Sequence, residues 1–478
     1  MTRRRRPPAA GGIGVAGLGY MGLATALSLG ARGHRVVGFD TNHEVRRALD
    51  RGTSPIREPK LQTLLTKLRR TGRFATVDSI EQLVATSRGI FLCLPTPARA
   101  SGRIDLRPLV AGSKAIAVPL RTNPRCRVLV VKSTVVPGTT ETVVEPLIRS
   151  LTGRSSRTLG VAANPEFLAE GSMIRDAIYP ERIVIGTNDA PSRAWLRAVY
   201  RPFRAPVFDL TPTGAELVKY ASNAFLALKV SYANEISRMS ERLGVHVDQV
   251  LEAVGADPRI GRRFLRAGPG FGGSCFDKDL RAIVGAARDL GLRFRLGEST
   301  LRVNDEQTAH ALRLVEEAAG PLRDRKVAVL GLSFKPGTDD VRESRAFPLV
   351  GALVGEGALP RVHDPVALTR FRDAWEGGER NGDHRRGVPI EYRRSVAAAL
   401  DGADVAVLQT DWPVYRGWTK AWTRRMARGL LVDLRRGVPP AAARRANLQV
   451  VSLGVGRGAG GAPARRLTAP SIVAGGAA

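Results

Sequence analysis

Cys275 is the residue of this sequence best placed for nucleophilic chemistry. It follows the glycine-rich stretch 268–274 and precedes the charged run 277–279. Glycines leave the backbone bare, so that a ligand can lie against it, and a predicted helix begins just after the cysteine. A helix N-terminus and the neighbouring Lys278 would both stabilise a thiolate, which is the nucleophilic form. A single cysteine is more often inert packing, but these surroundings argue against a buried structural role, and we predict a reactive thiol.

The two other cysteines, Cys93 and Cys126, each lie in or beside an apolar strand. We expect both to be structural. The three cysteines are widely spaced without a CxxC motif, so the sequence predicts neither a disulfide framework nor a metal site. This usage is typical of a reducing compartment, and we expect a cytoplasmic protein. Arginines 3–6 ahead of an apolar stretch mimic a secretory signal, but that stretch is too rich in glycine for an apolar helix.

Two pairs of polar residues stand four apart, a spacing that places both members on one face of a helix. Glu166 and Glu170 would share a face if their segment is helical, and Lys219 and Asn223 share one on a predicted long helix. A carboxylate, a lysine and a cysteine supply a base, an oxyanion stabiliser and a nucleophile, as oxidation through a covalent thiohemiacetal requires. Taken singly, each pair is also compatible with a solvated helix face.

Three glycines, Gly17, Gly19 and Gly22, form a G-x-G-x-x-G pattern between a predicted strand and a predicted helix. The first allows a tight turn, the second lets a pyrophosphate approach the backbone, and the third lets the helix pack on the sheet. A second predicted strand ends at Asp40, whose carboxylate would accept hydrogen bonds from the adenosine ribose and repel a 2′-phosphate. The pattern therefore predicts a site for NAD rather than NADP.

The elements that must position these residues follow from the alternation of strand and helix patterns. Predicted strands in the first half are 13–16, 35–39, 89–94, 127–132, 159–162 and 182–185. Helical patterns lie between most of them, which indicates βαβ units and a parallel sheet. The predicted helices that follow are 213–244, 247–254, 278–290 and 297–319. A second α/β region then has predicted strands at 326–330, 361–363, 404–409, 429–434 and 449–453.

We predict an α/β fold in which two Rossmann-like parallel-sheet domains are joined by a helical middle domain with one long helix. The predicted divisions are a flexible basic tail at 1–10, a dinucleotide-binding domain at 11–211, the helical domain at 212–320, the second Rossmann-like domain at 321–454 and a flexible tail at 455–478. Residues 376–387 are predicted to be a loop insertion.

The net charge of +30, from 74 Lys and Arg against 44 Asp and Glu, is strongly basic. Such a surplus often indicates a nucleic-acid partner. Here the basic residues are spread along the whole chain, without an aromatic-interleaved stripe or a recognition-helix pattern. A bias towards arginine, together with anionic small-molecule substrates, explains the charge better than nucleic-acid binding does.

Seven motifs in the chain resemble those of the UDP-glucose/GDP-mannose dehydrogenase family. They are residues 17–23, 94–97, 132–135, 164–172, 215–225, 270–279 and 331–336. The resemblance runs from about Gly12 to Leu453 and is nearest to the branch that acts on UDP-glucose. It implies NAD as the cofactor, dimerisation through the long helix of the middle domain, and a UDP-binding C-terminal domain.

By that resemblance, the C6 alcohol of a nucleotide sugar is oxidised to a carboxylate in two hydride steps. Cys275 attacks the aldehyde formed in the first step, the second step gives a thioester, and water releases the acid. Lys219 and Asp279, through water, are implied in proton transfer and in stabilising the oxyanion. Glu166 is implied as the acid/base for thioester hydrolysis.

The resemblance also implies which residues hold the reactants, with Thr134 and Asn223 as positioning groups. The implied cofactor contacts are Gly17, Gly19, Tyr20, Met21, Gly22, Asp40, Thr96, Pro97, Thr134, Glu170, Lys278 and Arg342. The implied substrate contacts are Glu166, Phe167, Leu168, Lys219, Asn223, Arg259, Arg266, Gly270, Phe271, Gly272, Lys335 and Arg435. Arg436 could serve in place of Arg435. Arg259 matches a residue that reaches the substrate of a neighbouring subunit, which implies a homodimer or a larger homo-oligomer.

Two positions depart from the family pattern. Asp277 stands where proline is frequent, and the basic residue after Asp40 is Arg46, one place later than usual. Within the same class of enzyme, GDP-mannose and a UDP-N-acetylhexosamine are alternative substrates. A hydroxyacid dehydrogenase of similar build would need neither Cys275 nor a second nucleotide domain. A basic nucleic-acid-binding protein would leave the motifs unexplained.

Overall fold

The computed structural model describes residues 11–56, 58–99, 101–377 and 390–456. The predicted tail at 1–10, the predicted tail from residue 457 onwards and most of the predicted loop insertion lie outside the described residues. Within them the chain divides into two compact units. The first unit takes residues from 11–223 and 278–293, and the second takes residues from 224–277 and 294–456.

The first unit contains an eight-stranded sheet with the strand order β3-β2-β1-β4-β5-β6-β7-β8. Its strands are β1 (Gly12–Ala16), β2 (Val36–Phe39), β3 (Phe74–Thr76), β4 (Ser87–Leu92), β5 (Val128–Val131), β6 (Gly160–Ala163), β7 (Ile183–Gly186) and β8 (Val207–Leu210). The strand order reverses between β1 and β4, and such a reversal opens a crevice at the carboxyl ends of the strands where nucleotides bind. The pairing is parallel except that β6 and β7 meet antiparallel, through Ala163 and Gly186.

Helices cover both faces of this sheet. They are α1 (Tyr20–Ala31), α2 (His43–Asp50), α3 (Leu61–Arg70), α4 (Ile80–Thr86), α5 (Arg107–Leu120), α6 (Glu145–Thr152), α7 (Met173–Ile178) and α8 (Ala190–Tyr200), with a π-helical turn at Thr140–Val144 and a 3-10 turn at Arg201–Phe203. The core has one apolar cluster on each face. Along β5, Val128 and Val130 join one cluster while Leu129 and Val131 join the other, because successive strand side chains point to opposite faces.

Four helices follow in the chain, and the first of them, α9 (Pro212–Leu243), is a single helix of 32 residues. The others are α10 (Val247–Ala256), α11 (Phe276–Asp289) and α12 (Arg295–Ala319). On α9 the side chains of Phe225, Tyr232 and Met239 are 61%, 44% and 57% exposed, and their spacing of seven places them on one face. No helix in the described ranges combines the length and apolarity that crossing a membrane requires.

The second unit contains a six-stranded parallel sheet with the strand order β11-β10-β9-β12-β13-β14. Its strands are β9 (Lys326–Leu330), β10 (Leu359–His363), β11 (Glu391–Tyr392), β12 (Val405–Leu408), β13 (Leu430–Asp433) and β14 (Gln449–Ser452). Its later helices are α13 (Ala346–Gly355), α14 (Leu368–Glu376), α15 (Val396–Leu400), α16 (Pro413–Arg416), α17 (Lys420–Arg425) and α18 (Pro440–Arg445). After β14, Gly456 N donates to Val245 O at 3.1 Å, so the chain pairs with the α9–α10 turn as far as it is described.

The predicted α/β fold with two Rossmann-like domains and one long helix is confirmed. The antiparallel meeting of β6 and β7 was not predicted, and it means that their connection does not cross back over the sheet. Three strands were also not predicted, β3, β8 and β11, and each is a sheet edge. The partly exposed β8 and β11 lack the continuous apolar run of a buried parallel strand, and β3 has only three residues.

Candidate active site

The loop between β1 and α1 carries the three glycines of the predicted cofactor site, and their surroundings differ. Gly17 has a φ of +90°, and a Cβ there would stand 2.3 Å from the Cys93 carbonyl oxygen. A Cβ at Gly22 would stand 1.8 Å from the Gly17 carbonyl oxygen, whereas at Gly19 it would meet no described atom within 4 Å. The fold itself therefore requires Gly17 and Gly22. The open backbone at Gly19 is what the close approach of a pyrophosphate needs.

Asp40 follows β2 directly and lies beside this loop, as predicted. Its Oδ2 accepts a hydrogen bond from Leu18 N at 2.7 Å, and its Oδ1 accepts one from Asn42 N at 2.8 Å. Each carboxylate oxygen can accept a second hydrogen bond, so a ribose can still be bound. Arg46 is buried, lies 5.2 Å over the Phe39 ring and donates to the Asp40 carbonyl oxygen. These contacts make Arg46 a support of the turn after β2.

The remaining predicted cofactor residues of the first unit lie in the loops at the carboxyl edge of the sheet. Thr96 Oγ1 donates to the Thr134 carbonyl oxygen at 2.8 Å, which ties the loop after β4, with Pro97, to the loop after β5. Tyr20 and Met21 open α1 and are half-buried. The glycine loop, Asp40 and these loops all lie where the strand order reverses, and they fit NAD.

A buried ion pair joins Glu166 and Lys219. Lys219 Nζ lies 3.0 Å from Glu166 Oε1, and the two side chains are 4% and 13% exposed. Glu166 Oε2 also accepts a hydrogen bond from Leu168 N. Burial alone would raise the pKa of the Glu166 carboxyl, but Lys219, the Leu168 N–H and Lys132 outweigh it and lower that pKa below its usual value. Glu166 is therefore a carboxylate at neutral pH.

The segment that carries Glu166 and Glu170 is not helical, because residues 164–169 form an irregular loop after β6. The two carboxylates therefore do not share a helix face. The loop instead brings Glu166 to Lys219. In the same loop, Phe167 lies under the guanidinium of Arg182, 3.9 Å from its carbon to the ring centre. Arg182 also donates to Ser222 Oγ at 3.1 Å, a support that the sequence did not indicate.

The pair Lys219 and Asn223 lies on one face of α9, as predicted, and both side chains are buried. Asn223 Nδ2 donates to Asp279 Oδ2 at 2.7 Å, and Lys278 Nζ donates to Asp279 Oδ1 at 2.6 Å. Asp279 is 1% exposed. Five predicted residues of the first unit thus form two buried groups. Lys219 pairs with Glu166, and Asn223 and Lys278 both donate to Asp279.

In the second unit, Cys275 lies exposed at the residue before α11, as predicted. Its Sγ is 3.6 Å from Ser274 Oγ. Cys93 and Cys126 are buried, as predicted, and burial raises the pKa of each thiol to about 12. Only three residues separate Cys275 from Asp279 in the chain.

The glycine stretch before Cys275 is held by side-chain amides that the sequence did not single out. Asn304 Oδ1 accepts from Phe271 N at 2.7 Å, and Gln307 Nε2 donates to Gly268 O at 2.8 Å. A Cβ at Gly272 would stand 2.2 Å from the Glu343 carbonyl oxygen. The predicted substrate residues 270–272 therefore lie in a loop of fixed shape. Amides among the buried residues of α12 are the signal that could have identified Asn304 and Gln307.

Arg435 and Arg436 differ in their hydrogen bonds. Arg436 is committed to the fold, because it donates to Asp248 at 2.7 Å, to Ala267 O at 2.7 Å and to Leu453 O at 2.9 Å. Arg435 donates through Nε to Gln409 O at 2.9 Å. Burial lowers the pKa of Arg435 to about 10, which leaves it charged at neutral pH. Its position favours Arg435 as the anion-binding group.

Other predicted cations of the second unit lie in separate loops. Arg266 pairs with Asp411 at 3.1 Å, and the Lys335 ammonium lies 5.4 Å from the centre of the Phe334 ring. Arg342 pairs with Asp340 at 2.5 Å. Arg259 pairs with Asp257 at 2.6 Å, and its side chain is 87% exposed.

Three sequence models of one protein family match the chain in order. The NAD binding domain of the UDP-glucose/GDP-mannose dehydrogenase family matches residues 12–204, its central domain matches residues 213–306 and its UDP binding domain matches residues 328–440. These ranges include all the candidate residues described above.

Individual relatives and a solved structure are similar over most of the chain. UDP-glucose 6-dehydrogenase YwqF of Bacillus subtilis is 37% identical over 400 residues, which are 84% of this chain and 87% of the relative. GDP-mannose 6-dehydrogenase of Pseudomonas aeruginosa is 37% identical over 355 residues, which are 74% of this chain and 80% of the relative. The structure of a UDP-glucose dehydrogenase from Pyrobaculum islandicum matches with a TM-score of 0.84 and 39% identity, covering 96% of this chain and 100% of that one.

Proposed function

Because the chain belongs to the UDP-glucose/GDP-mannose dehydrogenase family, we propose that it oxidises the C6 alcohol of UDP-glucose to the carboxylate of UDP-glucuronate. It is an NAD-dependent nucleotide-sugar dehydrogenase, and the proposal concerns its substrate and its mechanism. The observation that carries the mechanism is the exposed Cys275 at the start of a helix. A dehydrogenase that stops at the aldehyde needs no nucleophile, whereas oxidation to an acid through a thioester does.

NAD, when bound at the glycine loop, would accept one hydride, so the two oxidations use two NAD molecules in succession. In the first, Asp279 takes the proton of the C6 hydroxyl through a water that the Lys219 ammonium helps to hold, the C–H bond breaks and an aldehyde remains. The thiolate of Cys275 then adds to the aldehyde carbon and forms a C–S bond. The Lys219 ammonium stabilises the oxygen anion of this adduct. Loss of the second hydride from the same carbon gives a thioester.

Hydrolysis completes the cycle. Glu166, which its pairing with Lys219 keeps ionised, accepts a proton from the attacking water. The C–S bond breaks, the thiolate of Cys275 is restored, and the carboxylate product leaves. Asn223 positions this chemistry through its hydrogen bond to Asp279, and Thr134 does so from the loop after β5.

Binding of the nucleotide diphosphate falls to cations of the second unit. Arg435, Arg266 and Lys335 supply the positive charge that a pyrophosphate requires. Arg435 has the strongest support, because burial leaves its guanidinium poorly solvated and an anionic ligand would compensate for that.

GDP-mannose is the alternative substrate, because a dehydrogenase of that sugar is as identical in sequence as the UDP-glucose enzyme of Bacillus subtilis. The longer matches with enzymes named for UDP-glucose favour UDP-glucose. The test is kcat/KM with NAD and UDP-glucose, GDP-mannose or a UDP-N-acetylhexosamine. The kcat/KM for UDP-glucose is expected to exceed that for the other two sugars by about a hundredfold or more, since mispaired polar groups in a sugar site lower kcat/KM by that factor. A higher value for either of the others would reject the proposed substrate.

We further propose a homodimer that assembles through the exposed apolar face of α9, defined by Phe225, Tyr232 and Met239. Arg259, whose side chain is 87% exposed, would contact the substrate of the neighbouring subunit. Residency in the cytoplasm remains a prediction from the cysteine usage.

A further inference from the structure

Lys132 is a buried cation that the proposed chemistry does not use. It follows β5 and is 7% exposed. Its Nζ donates to the Asn164 carbonyl oxygen at 3.2 Å and to Asn164 Oδ1 at 3.0 Å. Among the residues that the structure describes, none offers this ammonium a carboxylate at ion-pair distance. A buried charge with only neutral partners costs stability, so packing alone does not account for a lysine here.

Asn164 is hydrogen-bonded at its carbonyl oxygen, its Oδ1 and its Nδ2. Besides Lys132, Tyr200 donates its hydroxyl to Asn164 Oδ1, and Asn164 Nδ2 donates to the Val184 carbonyl oxygen at 2.7 Å. The residue is 1% exposed, so its side chain cannot rotate without losing bonds to β5, β7 and α8 at once. Glu166 follows two residues later, after a proline that restricts the backbone further. The direction in which the Glu166 loop leaves β6 is therefore set at Asn164.

The titratable groups that interact with Lys132 include two residues of the site. These groups are the Glu166 carboxylate, the Lys219 ammonium and the thiol of Cys93, while the Tyr200 ring centre lies 6.0 Å from Nζ. Burial lowers the pKa of Lys132 to about 8, so the group is mainly charged at neutral pH. Its charge also contributes to the lowered pKa of the Glu166 carboxyl.

We propose that Lys132 is a positioning residue for Glu166, which fixes Asn164 at the root of the Glu166 loop and keeps the Glu166 carboxyl ionised for thioester hydrolysis. This inference rests on the proposed function. It predicts that loss of the charge slows the step after the second hydride transfer and leaves both oxidations and the binding of substrate and NAD intact.

The test compares Lys132→Met and Lys132→Gln, which remove the charge, with Lys132→Arg, which keeps it. Tyr200→Phe is the matched control, because it removes a donor to the same Asn164 oxygen without changing any charge. The first measurement is the titration of the Glu166 carboxyl by carbon-13 NMR in the resting enzyme, assigned with Glu166→Gln. We expect the midpoint to rise by about half a pH unit or more in the two neutral variants and to stay in place in Lys132→Arg and Tyr200→Phe.

The second measurement is NADH release in the first turnover. In the neutral variants a fast burst should precede a steady state at least about tenfold slower than in the wild type, with KM changed less than about twofold. An unchanged Glu166 midpoint in both neutral variants, or an equal shift in Tyr200→Phe, would overturn the inference, and so would slowed oxidation without a burst. The titration needs no substrate. A wild type that fails to oxidise UDP-glucose would therefore count against the proposed function alone.

Discussion

Cys275 differs from the other two cysteines in the property that governs thiol reactivity, which is its environment. Cys93 and Cys126 are buried, and burial raises the pKa of each to about 12, so at neutral pH both are protonated and inert. Cys275 is exposed, precedes a helix, and follows a loop whose shape is fixed by buried amides. The sequence predicted all three environments correctly, because local apolar runs and glycines signal burial and exposure.

Replacing Cys275 by serine should lower kcat by at least about a thousandfold while folding and NAD affinity stay unchanged, since a hydroxyl without an adjacent base is a far poorer nucleophile than a thiolate. Steady-state rates and a thermal unfolding curve measure the two effects. Cys126→Ser is the control, and any loss there should follow stability. Near wild-type turnover in Cys275→Ser would refute the covalent route.

The charge of Asp40 should decide between NAD and NADP. Asp40→Asn keeps a side-chain oxygen that can accept from Leu18 N but removes the charge that repels a 2′-phosphate. The ratio of kcat/KM for NAD to that for NADP is expected to fall about tenfold or more. Asp50→Asn, in the same unit but at the end of α2, should leave the ratio unchanged. A ratio unaffected in Asp40→Asn would mean that Asp40 does not face the ribose.

In the glycine loop between β1 and α1, we expect Gly22 to be required for folding and Gly19 for binding NAD. Gly22→Ala should destabilise the protein by about 1–3 kcal/mol or more, because the added Cβ meets the Gly17 carbonyl oxygen. Gly19→Ala should fold normally, because no described atom stands near its Cβ, and should weaken NAD binding about tenfold or more by blocking the pyrophosphate. Calorimetry of unfolding and of NAD binding measures both. Gly285→Ala, in open space on α11, should bind NAD normally.

If Gly19→Ala bound NAD as tightly as the Gly285→Ala control, the glycine loop would not be the pyrophosphate site.

Helices and central strands could be predicted from the sequence because their apolar periodicity is local. The edge strands β3, β8 and β11 could not, since β8 and β11 are partly exposed and β3 has only three residues. The loop of Glu166 was ambiguous for a related reason: spacing tells which residues share a helix face only when a helix exists. The hydrogen bonds of Asn304, Gln307 and Lys132 join residues that are distant in the chain, so no local pattern encodes their partners.

At the scale of the whole molecule, the face of α9 defined by Phe225, Tyr232 and Met239 leaves a large apolar surface exposed in a single chain. Such a surface marks an association site. Met239→Glu should convert a dimer to a monomer at micromolar concentration in sedimentation velocity and lower the activity. Val118→Glu, on the 67% exposed Val118 of α5, should change neither. An active monomeric wild type would contradict assembly through this helix.

In the proposed mechanism, Cys275 lets one chain carry out two successive oxidations of one sugar carbon. The most direct measurement is the number of NADH molecules formed per UDP-glucose consumed, with the product analysed by mass spectrometry. We expect about two NADH per sugar and the acid as the product, because the thiol captures the aldehyde before it leaves. One NADH per sugar, with free aldehyde accumulating, would contradict it.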